Sequence, residues 1–155
     1  MAKENFMNLI AELGNSIGIP NLSIDEDEYC FLKIDETLLI TLFRDPDSDF
    51  VTVYCEVGCY DDYTQTEIFK AVLEANYFWS GTGGATLGIN SEHKTILMAY
   101  KQPLGLMDFH HFLTMLQTFI NTAEIWIHRI VEITQKGTQD VITDSSTLPL
   151  HGVMV

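Results

Sequence analysis

Apolar residues recur at helical spacing at the start of the chain, where Phe6, Leu9, Ile10, Leu13 and Ile17 are separated by Asn8, Glu12 and Asn15. Gly18 and then Pro20 interrupt that rhythm, so a helix is expected over residues 2–17. DEDEY reads as a solvated acidic turn. Beyond it the pattern changes: YCFLKI and TLLITLF read as two strands, with Asp35-Glu36 as the tight turn between them. RDPDSD is a second acidic loop, and FVTVYCEVG is a third strand rich in β-branched and aromatic residues. Helical spacing returns over residues 65–78 through Ile68, Val72, Leu73 and Tyr77. A stretch with four glycines follows, then the strands ATLGIN and KTILMAYKQ, joined by Ser91-Glu92-His93. Asp108 is a good N-cap for a last helix running to about Gln135. Its apolar positions include Phe109, Phe112, Leu113, Leu116, Phe119, Ile120, Ala123, Ile127 and Ile130.

The order α-β-β-β-α-β-β-α has three strands in succession without helical crossovers. It predicts an α+β fold: an antiparallel twisted sheet with helices packed on it. Residues 1–136 read as a single domain. Residues 137–155 follow neither period and are expected to be a mobile tail.

Charge narrows the function. Eight basic residues stand against 22 acidic ones, a formal charge of -14, which repels phosphate backbones and anionic lipid. Nucleic acid and membrane surfaces are therefore disfavoured partners, and no apolar run is long enough to span a bilayer. The N-terminus lacks the basic-then-apolar layout of a secretory signal. The three cysteines Cys30, Cys55 and Cys59 form no CxxC pair, which favours a reducing cytoplasm.

The glycines Gly81, Gly83, Gly84 and Gly88 raise the question of a phosphate loop. Such loops run from a strand into a helix N-terminus. Here a helix comes first and a strand follows, Thr86 stands where GxGxxG needs glycine, and no lysine completes a GxxxxGK[ST] motif. The glycines are read instead as leaving a helix through positive φ and allowing close backbone approach. Cys55 and Cys59 share strand parity, with Cys30 opposite, and are read as buried thiols rather than zinc ligands. Neighbouring His110 and His111 point about 100° apart on a helix, a surface histidine beside a half-buried one. Asp25, Glu26, Asp27 and Glu28 lack the pattern of a calcium loop. No GxSxG, HExxH or supported Cys–His pair occurs. No nucleotide, metal or other cofactor is expected, and no enzymatic activity.

An excess of apolar surface remains. Phe31, Ile40, Leu42 and Phe43 lie in nearly unbroken apolar strands, whereas a lone antiparallel sheet should keep one face polar. Either a dimer interface or ligand groove covers the second face, or helices of the same chain do.

GNSIGIPNLSIDEDEYCFLKID, LEANYFWSGTGGATLGIN and the helix from MDFHHFL to AEIW together resemble the class I type III secretion chaperones, the Tir chaperone or CesT family. The resemblance covers residues 3 to 130 in order. Tyr77 stands where leucine is commoner and Asn90 where aspartate is. The resemblance implies a cytoplasmic homodimer in a Gram-negative bacterium. It would bind the N-terminal region of a secreted effector in extended form, with secretion-apparatus components as further partners. It implies an effector groove or its floor at Phe6, Leu9, Leu13, Phe31, Ile40 and Leu42. It also implies a dimer interface at Leu73, Phe78, Trp79, Leu87 and Ile89. An adaptor or regulator using the same groove, or a small enzyme without a recognisable motif, are the alternatives.

Overall fold

A computed structural model describes residues 1–145. Helix α1 (Ala2–Ile17) ends where Gly18 turns left-handed at φ 79, returning its N–H to the Gly14 carbonyl. Strands β1 (Tyr29–Ile34), β2 (Leu38–Asp45) and β3 (Phe50–Cys59) follow, then α2 (Gln65–Asn76), β4 (Thr86–Asn90), β5 (Thr95–Pro103) and α3 (Phe109–Ser145). The five strands form one antiparallel sheet in the order β1-β2-β3-β5-β4, so β1 and β4 are its edges. Asp108 caps α3 as expected, accepting the His111 N–H at 2.8 Å.

Strand parity decides which residues enter the core. Cys30 and Leu32 of β1, Ile40 and Leu42 of β2, and Val51 and Val53 of β3 point to one face and are buried. There they join Phe6, Leu9 and Leu13 of α1, Ile68 and Val72 of α2, and Phe112, Phe119 and Trp126 of α3. All three helices contribute to this single cluster. The opposite face receives no helix residue of the cluster and carries Phe31 and Leu39 in the open.

Three sequence expectations change. Cys55 and Cys59 do not share a face: the β3–β5 register slips between Glu56 and Gly58, and the inserted residue turns Cys59 outward while Cys55 stays buried. Gly58 sits at that bulge because a Cβ there would lie 2.8 Å from Ile130 Cγ2, so glycine lets α3 rest on the sheet. Glu28 is not solvated but buried against Arg44, since its φ of 66° turns it inward at the mouth of β1. Helix α3 continues past Gln135 to Ser145, passing through Gly137 where the chain approaches Thr64. Within this stretch Thr134 and Thr138 donate their hydroxyls to the carbonyls of Ile130 and Thr134, which satisfies the hydroxyls without adding to helix stability. Residues 137–145 are thus helix; the rest of the expected tail, residues 146–155, lies outside the described residues.

Candidate functional site

The bare sheet face is built by odd-numbered residues of β1 and β2 with even-numbered residues of β3. Tyr29 stacks on Phe31 (centroids 6.0 Å) and on Phe43 (5.2 Å), and Phe43 meets the edge of Tyr54 at 6.1 Å. Cross-strand pairing brings them together, with Tyr29 opposite Phe43 and Phe31 opposite Thr41, itself opposite Tyr54. Thr41 is buried beneath these rings. Phe31 remains 55% exposed and Leu39 54%. The result is a ladder of aromatic rings open to solvent.

The two sheet edges differ. On β1, Asp25 engages the first outward-facing residue: its N–H donates to the Tyr29 carbonyl and its carboxylate accepts the Tyr29 N–H, both at 2.8 Å. Antiparallel pairing alternates inward and outward groups, so the backbone of Phe31 and Lys33 faces outward next, and no other described segment pairs there. On β4, the Asn76 side chain occupies the edge. Its carboxamide donates to the Leu87 carbonyl at 2.8 Å and accepts the Leu87 N–H at 2.9 Å, the pair of bonds a neighbouring strand would make.

The glycine stretch serves this second edge. The N–H groups of Gly81, Thr82 and Ala85 donate to the carbonyls of Ala75, Trp79 and Thr82, so they turn back into the chain rather than out toward an anion. A Cβ on Gly81 would lie 2.9 Å from Ala75 Cβ, and Gly83 and Gly84 adopt φ of 58° and 92°. Phe78 and Trp79 also take φ above 50°, an unfavourable conformation for aromatic residues costing about 1–3 kcal/mol each. Trp126 of α3 fixes the loop by donating its indole N–H to the Gly81 carbonyl at 2.9 Å.

The residues suggested for an effector groove separate. Phe6, Leu9, Leu13, Ile40 and Leu42 are buried in the core cluster on the inner face, whereas Phe31 faces solvent on the opposite side of the sheet. Those suggested for a dimer interface stay closer together. Leu73, Leu87 and Ile89, with Phe69, Val72, Asn76 and Gly88, line an apolar depression of about 220 Å³. Leu73 (70%), Phe78, Trp79 and Ile89 are exposed, while Leu87 is already buried in one chain. Sequence reading did not find Asn76, the Glu28–Arg44 pair or the ring ladder. Parity alone places Tyr29, Phe31, Leu39 and Phe43 on one face, so the ladder had a signal; the other two depend on loop geometry.

Burial pushes the Cys30 thiol up to about 11, assisted by Asp25, and the Cys55 thiol up to about 12, so both stay protonated at neutral pH. Both His110 and His111 are exposed, which corrects the half-buried placement of one of them. Among the described residues no three of His, Cys, Asp and Glu are grouped to hold a metal ion. No described helix is long and apolar enough to cross a membrane.

Known proteins share this fold. A Chlamydia pneumoniae protein is 24% identical over 121 residues, 77% of this chain and 91% of its own length. The Tir chaperone of Escherichia coli O157:H7 is 26% identical over 96 residues, 62% of this chain; the match spans 60% of that relative. Among solved structures, the ExsC–ExsE complex superposes with a TM-score of 0.70 at 20% identity, covering 81% of this chain and 93% of that one. The HopA1–SchA chaperone–effector complex gives 0.67 at 16% identity, covering 83% and 97%. Residues 8–127 match the family model described as Tir chaperone protein (CesT), and the chain belongs to that family of chaperones.

Proposed function

We propose that this protein is a cytoplasmic type III secretion chaperone of a Gram-negative bacterium. In this reading it acts as a homodimer and holds the N-terminal region of a secreted effector in extended form. The observation that carries the reading is the exposed ring ladder lying beside an unpaired edge strand. An extended segment supplies its own main-chain donors and acceptors to such an edge, while its alternate side chains meet the apolar face. Family membership and the complexes named above support the same reading. It requires no nucleotide. The test is reconstitution with N-terminal segments of the host's secreted proteins, read by light scattering and limited proteolysis. A complex of two chains with one protease-sensitive segment is expected; selective binding of folded proteins would instead make it an adaptor.

Two variants refine this. Phe31 is exposed and is not a member of the core cluster, so Phe31→Ala should leave the melting temperature nearly unchanged while weakening segment binding about tenfold, or ~1.4 kcal/mol. Leu13→Ala should behave oppositely, losing about 2–5 kcal/mol of stability first. If Phe31→Ala binds as well as the parent, the ladder is not the contact surface.

For the dimer, the apolar depression between α2 and β4 and its exposed rim at Leu73 and Ile89 fit a second copy of the chain. Leu73→Asp would place an unpaired charge there at a cost of about 3 kcal/mol, raising the dimer dissociation constant more than about a hundredfold. Sedimentation equilibrium should show a folded monomer. A parent chain that is already monomeric at micromolar concentration would refute the assignment.

A further inference from the structure

We propose that the segment received at the β1 edge is a short strand with cationic ends: alternating apolar residues at its centre, lysine or arginine at both termini. This deepens the reading above and rests on it. Because Asn76 occupies the Leu87 backbone on β4, an incoming strand is directed to β1. There the opening is short. Tyr29 is already engaged by Asp25, which leaves the outward groups of Phe31 and Lys33, and six residues of β1 span about 20 Å.

Carboxylates stand at both ends of that opening. Glu26 and Asp27 precede the strand, Asp35 and Glu36 follow it, and all four are exposed. Among the described residues none of the four is paired with a cation. Between them the outer side chains are Phe31 and Lys33, and the inner ones Cys30 and Leu32. Phe31 with the buried Cys30 and Leu32 favours apolar neighbours at the centre, and the exposed carboxylates beyond Tyr29 and Ile34 accommodate positive charge at the termini; Lys33, beside the second pair, offsets part of its field. The formal charge of -14 adds a long-range attraction of the same sign.

The experiment uses labelled synthetic peptides and fluorescence anisotropy with the full chain. One peptide alternates isoleucine and threonine between paired lysines, and its counterpart carries paired glutamates instead. At low salt the lysine-ended peptide is expected to bind at least about tenfold more tightly, with the difference collapsing at high salt. The preference should fall below about threefold in the combined variant Glu26→Gln, Asp27→Asn, Asp35→Asn, Glu36→Gln. These changes retain side-chain size and leave Asp25 intact, and an unchanged melting temperature verifies the fold. N-methylation of the peptide amides on one edge should abolish binding.

Equal affinity of the two peptides overturns the charge inference while strand uptake stands. A preference that survives in the combined variant overturns it as well, as does binding that survives N-methylation. If neither peptide binds but an effector segment does, the β1 edge is the wrong acceptor and the chaperone reading remains. If effector segments also fail, that reading falls independently.

Discussion

Replacing Arg44 by methionine is expected to cost about 3 kcal/mol of folding stability, because it strands a buried carboxylate. Arg44 points inward from β2 and meets both oxygens of Glu28, through Nε and through Nη2 at 3.0 Å. Its Nη1 reaches Asp49 at 2.9 Å, and its backbone N–H donates to the Glu28 carbonyl at 3.3 Å. Lys3 approaches Glu28 at 3.2 Å from α1. That remaining cation keeps the loss at the lower end of the 3–5 kcal/mol range for broken buried pairs. Removing both charges together with Glu28→Leu should recover much of the loss. The hydrogen bond from Arg44 holds the Glu28 carboxyl below its ordinary value, with burial opposing and Lys3 assisting. A depressed folded pKa means the contribution is complete above the ordinary carboxylate value of about 4.5. It is lost as pH falls through the folded value. Urea titrations across that range should therefore show a steeper acid loss in the parent than in the double variant. An Arg44→Met chain within about 1 kcal/mol of the parent at neutral pH would refute the argument.

Trp126→Ala should be comparably severe, at about 3–5 kcal/mol. The ring is 1% exposed, its N–H satisfies the Gly81 carbonyl, and Arg129 lies over its face at 4.9 Å. Truncation opens a cavity and removes the tie between α3 and the glycine loop. For a chain of this size the melting temperature should fall by roughly 10 °C. Trp126→Phe retains most of the volume but not the donor, so a loss of about 1–2 kcal/mol is expected. Hydrogen exchange should distinguish the causes: both variants should speed exchange in the loop and β4, whereas β1 and β2 keep their protection. Uniform loss of protection would show that the indole bond has no local role.

Much of this architecture was legible in periodicity. The turn at Gly18, the cap at Asp108 and every strand lie within a residue or two of their expected places, since local patterning and local chemistry determine them. What escaped depends on geometry that no short window contains. One inserted residue at the β3 bulge reverses the side of Cys59. One left-handed residue, Glu28, converts an apparently solvated acid into a buried one. Positive φ in the helix exit was expected of glycine and falls also on Phe78 and Trp79. The groove candidates divide for a related reason: helical spacing shows that α1 has an apolar face but not which sheet face it covers. Packed with α2 and α3 on the inner face, α1 takes Phe6, Leu9 and Leu13 out of solvent together with Ile40 and Leu42, and Phe31 is left on the outer face.

The Asn76 carboxamide has a consequence for valence. A sheet with two open edges is a link that can be joined at both ends, and a protein that handles unfolded chains meets strands constantly. By satisfying Leu87 with a side chain, the fold leaves β4 little more than Ile89 to offer and makes the sheet a terminus rather than a link. A strand added at β1 cannot be relayed through the sheet into an endless ribbon. Asn76→Ala would free the Leu87 backbone inside the depression assigned to the dimer, and sedimentation is expected to show a chain that folds but associates beyond two copies.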